Sequence, residues 1–225
     1  VEEVTNSLTK LHLLPEELKA IPEGGDYSEL YINNTSVYVV DYDMKQAEIL
    51  MVAQGASYDV TKMPLIRLHN EYFGGSMGSI VFQTLRESKA LAYSVYSTYS
   101  SPRTADKSHY VMAYIGTQAD KLKEAMIGMN ELLTELPAAD ANMENAQDAI
   151  VQKIRTERIT KDRVLFSYES AKRLGVGKDA REDVYNKVSN FTMDDLQAFH
   201  NEYISGNEYT ILVLGSKEEL DLSLI

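Results

Sequence analysis

The hydrophobic period of the chain changes several times, and each change predicts an element. Ser36–Tyr42 (SVYVVDY) and Gln46–Gln54 (QAEILMVAQ) are β-branched or aliphatic runs separated by Asp43, Met44 and Lys45, so they predict the two strands of a hairpin. A helical period follows. Met63, Ile66, Asn70 and Phe73 share a face with Leu65 and Tyr72 beside it, and Gly74-Gly75 stops it. Pro64 fits only a first turn, which places the start near Thr61. A second helix is expected from about Ser79 to Ser88. Period two returns over Ala90–Tyr99, with Leu91, Tyr93, Val95 and Tyr99 on one face, and again over Ser108–Ile115, across the polar Ser100–Lys107 loop. The strongest helical stripe is Leu122, Ala125, Met126, Met129, Leu132, Leu133 and Leu136. Thr117 and Asp120 predict a capping box ahead of it, and Pro137 ends it. Asp140 is expected to cap a helix that turns Met143, Ala146, Ile150 and Ile154 inward. More helix is expected from Asp162 to Leu174, stopped by Gly175, and beyond a Thr192–Asp195 capping box with Leu196, Phe199 and Tyr203. Tyr209–Leu214 (YTILVL) predicts a last, fully buried strand.

The order is strand-strand, helix-helix, strand-strand, several helices, strand. It predicts an α+β fold, a two-layer sandwich whose mostly antiparallel sheet carries helices packed on one face. A strict βαβ rhythm is missing, which disfavours a doubly wound parallel sheet. Val1–Ser28 is broken by Pro15, Pro22 and Gly24-Gly25, with only Leu8, Leu11 and Leu14 suggesting a helical stripe. It is expected to be a connecting segment lying across a neighbouring surface, with the domain proper over 29–225.

Composition narrows the picture further. Hydrophobic residues are 44% and charged residues 25%, an ordinary globular balance that excludes disorder. Lys+Arg is 22 against Asp+Glu 34, a net charge of −12, and no basic block stands out, so nucleic acid is not an expected partner. There is no Cys, which removes disulfides, thiolate ligands and a Cys nucleophile and leaves the compartment open, cytoplasmic or extracytoplasmic. The longest aliphatic runs, Ile49–Ala53 and Ile211–Leu214, fall far short of the roughly 20 residues of a membrane-spanning helix. The chain opens at Val1 with neither an initiator Met nor a signal peptide and stops soon after a strand, and is expected to be a piece of something longer.

Candidate chemistry begins with four His. None has a partner at metal-binding spacing: His69 and His200 have Glu at i+2, on another face; His12 is separated from Glu16 by Pro15; His109 stands alone in a strand. Neither HExxH nor HxxEH occurs, so no metal site is expected. The six residues His69–Gly74 (HNEYFG) resemble His200–Gly206 (HNEYISG), a near-repeat at two helix ends, which reads as dipole-favouring His followed by a Gly cap; six residues are too few to establish a duplication. No GxSxG is present. Phe73–Ser79 (FGGSMGS) opens a helix and offers backbone N–H groups at Gly74, Gly75 and Ser76 for an anion or a substrate; without the Lys-Ser/Thr ending of a P-loop, a tight turn between helices fits it better. Arg86, at a helix end, has Phe82, Gln83, Lys89 and Ala90 as its helical neighbours, none acidic. Tyr93 follows seven positions on, and a helix-turn-strand reversal brings both to one wall, where a guanidinium fork and a phenol face a carbonyl oxygen. A solvated Arg and a packing Tyr satisfy the same pattern.

NEYFGGSMGSIVFQTLRESKALAYSVYSTY resembles the second-half signature of the pitrilysin/insulinase-type zinc metallopeptidases, the inverzincins with an inverted HxxEH motif. The matching features are the Gly-Gly before a small-residue turn, the FQxLRE helix end, the AYSV strand and the Arg-to-Tyr spacing. The resemblance is specific over Asn70–Tyr99 and looser over Tyr31–Leu214. It implies a metal-free C-terminal domain that closes over a zinc-bearing N-terminal domain or subunit, with Arg86 and Tyr93 touching the backbone of a peptide substrate at the scissile bond. Zinc then belongs to the complete enzyme, and this chain has no cofactor and no activity alone. A separate non-catalytic partner subunit, or a scaffold of the same fold, is the alternative.

Overall fold

A computed structural model of the chain describes residues 2–11, 20, 22, 25 and 28–222. His12, Leu14, Pro15, Glu16 and Gly24, invoked above, lie outside the described residues. The elements run α1 (Glu2–Leu11), β1 (Ser36–Asp41), β2 (Gln46–Ser57), α2 (Met63–Phe73), a π-helix (Phe82–Ser88), β3 (Ser94–Ser100), β4 (Ser108–Gln118), α3 (Leu122–Thr134), α4 (Asp140–Thr156), α5 (Val164–Arg173), α6 (Ala180–Lys187), α7 (Met193–Tyr203) and β5 (Thr210–Gly215).

The sheet has the order β1-β5-β2-β4-β3, with β1 and β5 parallel and every other pair antiparallel. β1 and β2 are therefore not a hairpin. The last strand lies between them, and the four residues Tyr42–Lys45 pass over its end, where Gly215 O accepts from the Tyr42 N–H and Asp41 Oδ1 from the Lys217 N–H. A hairpin would have left YTILVL without two strands to bond. β5 is also not fully buried: Ile211 and Val213 point into the core, while Leu212 on the opposite face is 39% exposed. Among the described residues, the helices that bury side chains against the sheet lie on one side of it, as in an α+β sandwich.

On that side Ile49, Met51, Val111, Ile115, Val95, Tyr99, Ile211 and Val213 meet Ile66, Leu68, Tyr72 and Phe73 of α2, Leu122, Met129 and Leu133 of α3, and Leu196 and Phe199 of α7 in one core. α4 lies against α2 and turns Met143, Ala146 and Ile150 inward, with Ile154 packed at the margin. On the other side the register aligns one transverse row through all five strands: Tyr38, Leu212, Leu50, Tyr114 and Tyr96. Tyr38 is 59% exposed, and Tyr96 and Tyr114 stack with ring centroids 5.3 Å apart.

Local signals had mixed fates. Thr192 and Asp195 form the expected capping box. Thr117 and Asp120 do not: Thr117 belongs to β4, and α3 begins after a 3₁₀ turn at Ala119–Lys121. Asp140 is the first residue of α4, not its cap, and Ala139 stands in the cap position. Strand structure begins at Ser94, so Ala90–Tyr93 is a bend ahead of it, and Tyr93 points to solvent while Val95 and Tyr99 are buried. α6, with Asp179 as its N-cap and Val184 its buried residue, was not anticipated. α1 buries nothing, and Val4, Leu8 and Leu11 are exposed along it.

Candidate functional site

Ser79–Ser100 builds the site through a helix that loosens toward its end. Gln83 N–H reaches Ser79 O at 2.9 Å, an α-helical step. Lys89 N–H reaches Thr84 O, a π step, and Leu91 N–H reaches back six residues to Leu85 O. Leu85 is fully buried and anchors this coil, while Arg86 faces outward with its side chain 44% exposed. Its guanidinium lies 4.8 Å from the Phe82 ring, one turn back, a cation–π contact that fixes its direction. Glu87 Oε1 is 3.8 Å from Arg86 Nε, a long exposed ion pair of little energetic weight, so an acidic neighbour exists at i+1 although none does at helical spacing.

Ala90, with φ 50°, turns the chain. Tyr93 then bonds through its N–H to Gly116 O at 2.8 Å, with its side chain 51% exposed. Arg86 and Tyr93 both line one open cleft of about 460 Å³, together with Glu87, Ala90, Leu91, Ala92, Gln118 and Lys121. Gln118 and Lys121 come from the end of β4 and the turn after it, and the spacing of Arg86 and Tyr93 gave no signal for either. The lining is mixed, with the charged side chains of Arg86, Glu87 and Lys121 beside Ala90, Leu91 and Ala92.

Gly74, Gly75 and Ser76 stand apart from this cleft, against β3. The N–H groups of Gly74 and Gly75 both point at Asn70 O, at 3.2 and 2.7 Å, and finish α2, so they are not free to cradle an anion. Gly74 has an ordinary φ of −148°; it is glycine because a Cβ there would lie 2.4 Å from the backbone N and O of Ser97. Asn70 pairs its side-chain amide with Tyr99 O and N–H at 3.1 and 2.7 Å, which covers the outer edge of β3. Gly75 is exposed and Ser76 half-buried, leaving both reachable.

Three His are interior groups, not surface or capping ones. His69 Nε2 is 3.1 Å from His200 Nδ1, and His200 Nε2 is 3.0 Å from Leu133 O. A carbonyl only accepts, so His200 carries its proton on Nε2 and accepts at Nδ1 from the His69 Nε2–H. Burial holds His200 down at about 4 and His69 well below the usual imidazole range, so both are neutral and neither serves a helix dipole. His109 stacks between Tyr58 and Tyr99. The bonded His pair has no carboxylate beside it, and among the described residues no group of three or more His, Asp or Glu could hold a metal ion. The described residues do not fit zinc.

A larger groove, about 720 Å³, lies beneath α5 and is mainly apolar, with Val60, Met63, Val164, Tyr168 and Leu174 in its walls. On its rim Lys178 pairs with Glu182 and Asp183, and Arg181 with Asp179.

Several known proteins share this fold. The fold is that of a peptidase M16 inactive domain from Pseudomonas fluorescens, with a TM-score of 0.69 at 16% identity over 88% of this chain and 48% of that one. A periplasmic protease, PqqL, from Escherichia coli superposes with a TM-score of 0.63 at 15% identity over 96% of this chain and 24% of that one. In sequence, the chain is 34% identical over 94 residues to a Bacillus subtilis (strain 168) protein called uncharacterized zinc protease YmxG, covering 42% of this chain and 22% of that protein. It is 19% identical over 216 residues to a Helicobacter pylori protein called non-peptidase homolog YmxG, covering 93% of this chain and 49% of that protein. The chain thus spans half or less of the length of these curated relatives. Residues 6–150, well over half the chain, match the family described as peptidase M16 inactive domain, and the chain belongs to that family.

Proposed function

We propose that this chain is the metal-free domain of a zinc endopeptidase, and that it closes over a zinc-bearing domain or subunit and holds the substrate backbone there. The observation that carries this reading is the convergence of Arg86 and Tyr93 on one open cleft. A planar guanidinium and a phenol O–H directed at one carbonyl oxygen strengthen their bonds as that oxygen becomes anionic. Gly75 and Ser76, reachable but apart from the cleft, supply a second contact to the peptide beyond the scissile bond through groups other than the Gly75 N–H, which Asn70 O already holds, and Gly74 fixes the turn against β3. Residues 1–28 connect to the rest of the enzyme, and 29–225 form the closing domain. The outer sheet face, with Tyr38, Val40, Leu212 and Tyr96 exposed, supports contact with the zinc-bearing part, since apolar patches of that kind mark association surfaces. Zinc and the water it activates belong to that other part, and none of the described residues of this chain takes part in metal chemistry.

The test is turnover of a fluorogenic peptide by the full-length protein. Tyr93→Phe removes one O–H and should lower kcat about a hundred- to a thousandfold, with zinc content and Tm unchanged. Arg86→Lys should also impair turnover, because a point charge does not reproduce the fork. Wild-type turnover in both variants would make Arg86 and Tyr93 ordinary surface residues. A second reading, a non-catalytic partner subunit or scaffold, is favoured by the name of the Helicobacter relative. It predicts no peptide cleavage with or without the substitutions.

A further inference from the structure

The bend between Arg86 and Tyr93 is held from outside itself. Ala90 is the one non-glycine at positive φ among the described residues, and it sits where the loosening helix turns into the strand. A left-handed alanine is unfavourable because its Cβ crowds the following carbonyl, and such a conformation persists only where the surroundings over-determine it. Here three groups from the end of β4 and the turn after it do so. Lys121 Nζ donates to Ala90 O at 3.1 Å, Thr117 Oγ1 donates to Leu91 O at 2.6 Å, and Gly116 O accepts from the Tyr93 N–H at 2.8 Å. Thr117 is fully buried, so its hydroxyl is committed to that carbonyl, and Lys121 also lines the cleft.

We propose that Thr117 and Lys121 are positioning residues, which fix the bend at Ala90–Leu91 and thereby the separation of the Arg86 and Tyr93 side chains across the cleft. The inference rests on the assignment of Arg86 and Tyr93 to substrate. Neither Thr117 nor Lys121 needs to touch the peptide: they act through two backbone carbonyls. A displacement of about 1 Å in such a constellation is enough to cost roughly a hundredfold in rate. The loss should fall on kcat more than on KM, because a misplaced donor fails mainly at the oxyanion.

The experiment uses the full-length protein, a fluorogenic peptide, and the variants Thr117→Val, Lys121→Met and Lys121→Arg, alone and combined with Tyr93→Phe. Thr117→Val and Lys121→Met should each lower kcat roughly ten- to a hundredfold with KM nearly unchanged. Lys121→Arg, which still offers an N–H to Ala90 O, should recover most of the rate. In the Tyr93→Phe background, Thr117→Val should add little, because the group it positions is gone. Lys121 is partly exposed, so Lys121→Met remains informative even where Thr117→Val lowers stability. Peptide affinity of the metal-free protein, read by fluorescence anisotropy, should stay within about twofold of wild type for Thr117→Val and Lys121→Met; loss of affinity in step with kcat would overturn the positioning role. Tyr93→Phe impaired while Lys121→Met and Thr117→Val turn over normally, or full additivity with Tyr93→Phe, would overturn it and leave the site assignment standing. Normal turnover in Tyr93→Phe would overturn both.

Discussion

His69 and His200 show how far burial decides what a residue is. As letters they suit two helix ends; as side chains they occupy the interior, bonded to each other and to Leu133 O. Their neutrality links folding to pH. His200 titrates near 4 when folded and near 6.5 when unfolded, so between those values the unfolded chain binds more protons, and stability is full above about 6.5 and lost as pH falls. From pH 7 to pH 5 the His200 contribution should fall by about 2 kcal/mol, and His69 acts in the same direction. Thermal melts should show a Tm roughly 4–8 °C lower at pH 5 for that reason alone. The doubly substituted His69→Gln/His200→Gln protein should have a flatter profile over this range; an equal slope would place the linkage elsewhere.

Between elements, the close approach of the α2–π-helix turn to β3 is the tightest packing constraint found. Gly74→Ala would drive a methyl group into the backbone of Ser97 and should cost about 1–3 kcal/mol or more, measured by urea unfolding. Gly78→Ala, whose Cβ would meet only Ser76 Oγ at 3.9 Å, should stay within about 0.5 kcal/mol of wild type. If the two variants melted together, the turn would be free to retreat from β3. The same region shows what was legible in the sequence. Helix α2, its proline-marked start and the β3–β4 hairpin followed from periodicity, because each element's own residues decide its buried face. Thr117-Gln118-Ala119-Asp120 and Thr192-Met193-Asp194-Asp195 carry the same capping signal, yet only the second caps; the first Thr gives its hydroxyl to Leu91 O, 26 positions earlier. That Arg86 and Tyr93 line one cleft followed from their spacing; their role there is a proposal. Thr117 and Lys121 were not, since their partners are backbone carbonyls that no side-chain pattern announces.

For the molecule as a whole, the row Tyr38–Leu212–Leu50–Tyr114–Tyr96 makes the uncovered sheet face a testable surface. Tyr38→Asp and Leu212→Asp alter exposed positions and should preserve the circular dichroism of the chain. They should abolish co-elution with the zinc-bearing part proposed above, once that part is purified, on gel filtration; retained co-elution would direct the contact to another face. The sheet order has a separate consequence, for the timing of biosynthesis. Ser36 pairs with Thr210, and β1 bonds only to β5 within the sheet. At about 5–20 residues per second a ribosome needs roughly 10–35 s to pass from the first of these residues to the second. Throughout that interval the nascent β1 and β2 are adjacent, apolar and joined by a short turn, so the local hairpin that is absent from the native sheet is the contact they can make first. Any such pairing would have to open before β5 could insert between the two strands, so refolding of the chain should show a slow phase that disappears when Asp43→Pro weakens the β1–β2 turn; an unchanged phase would count against the hairpin.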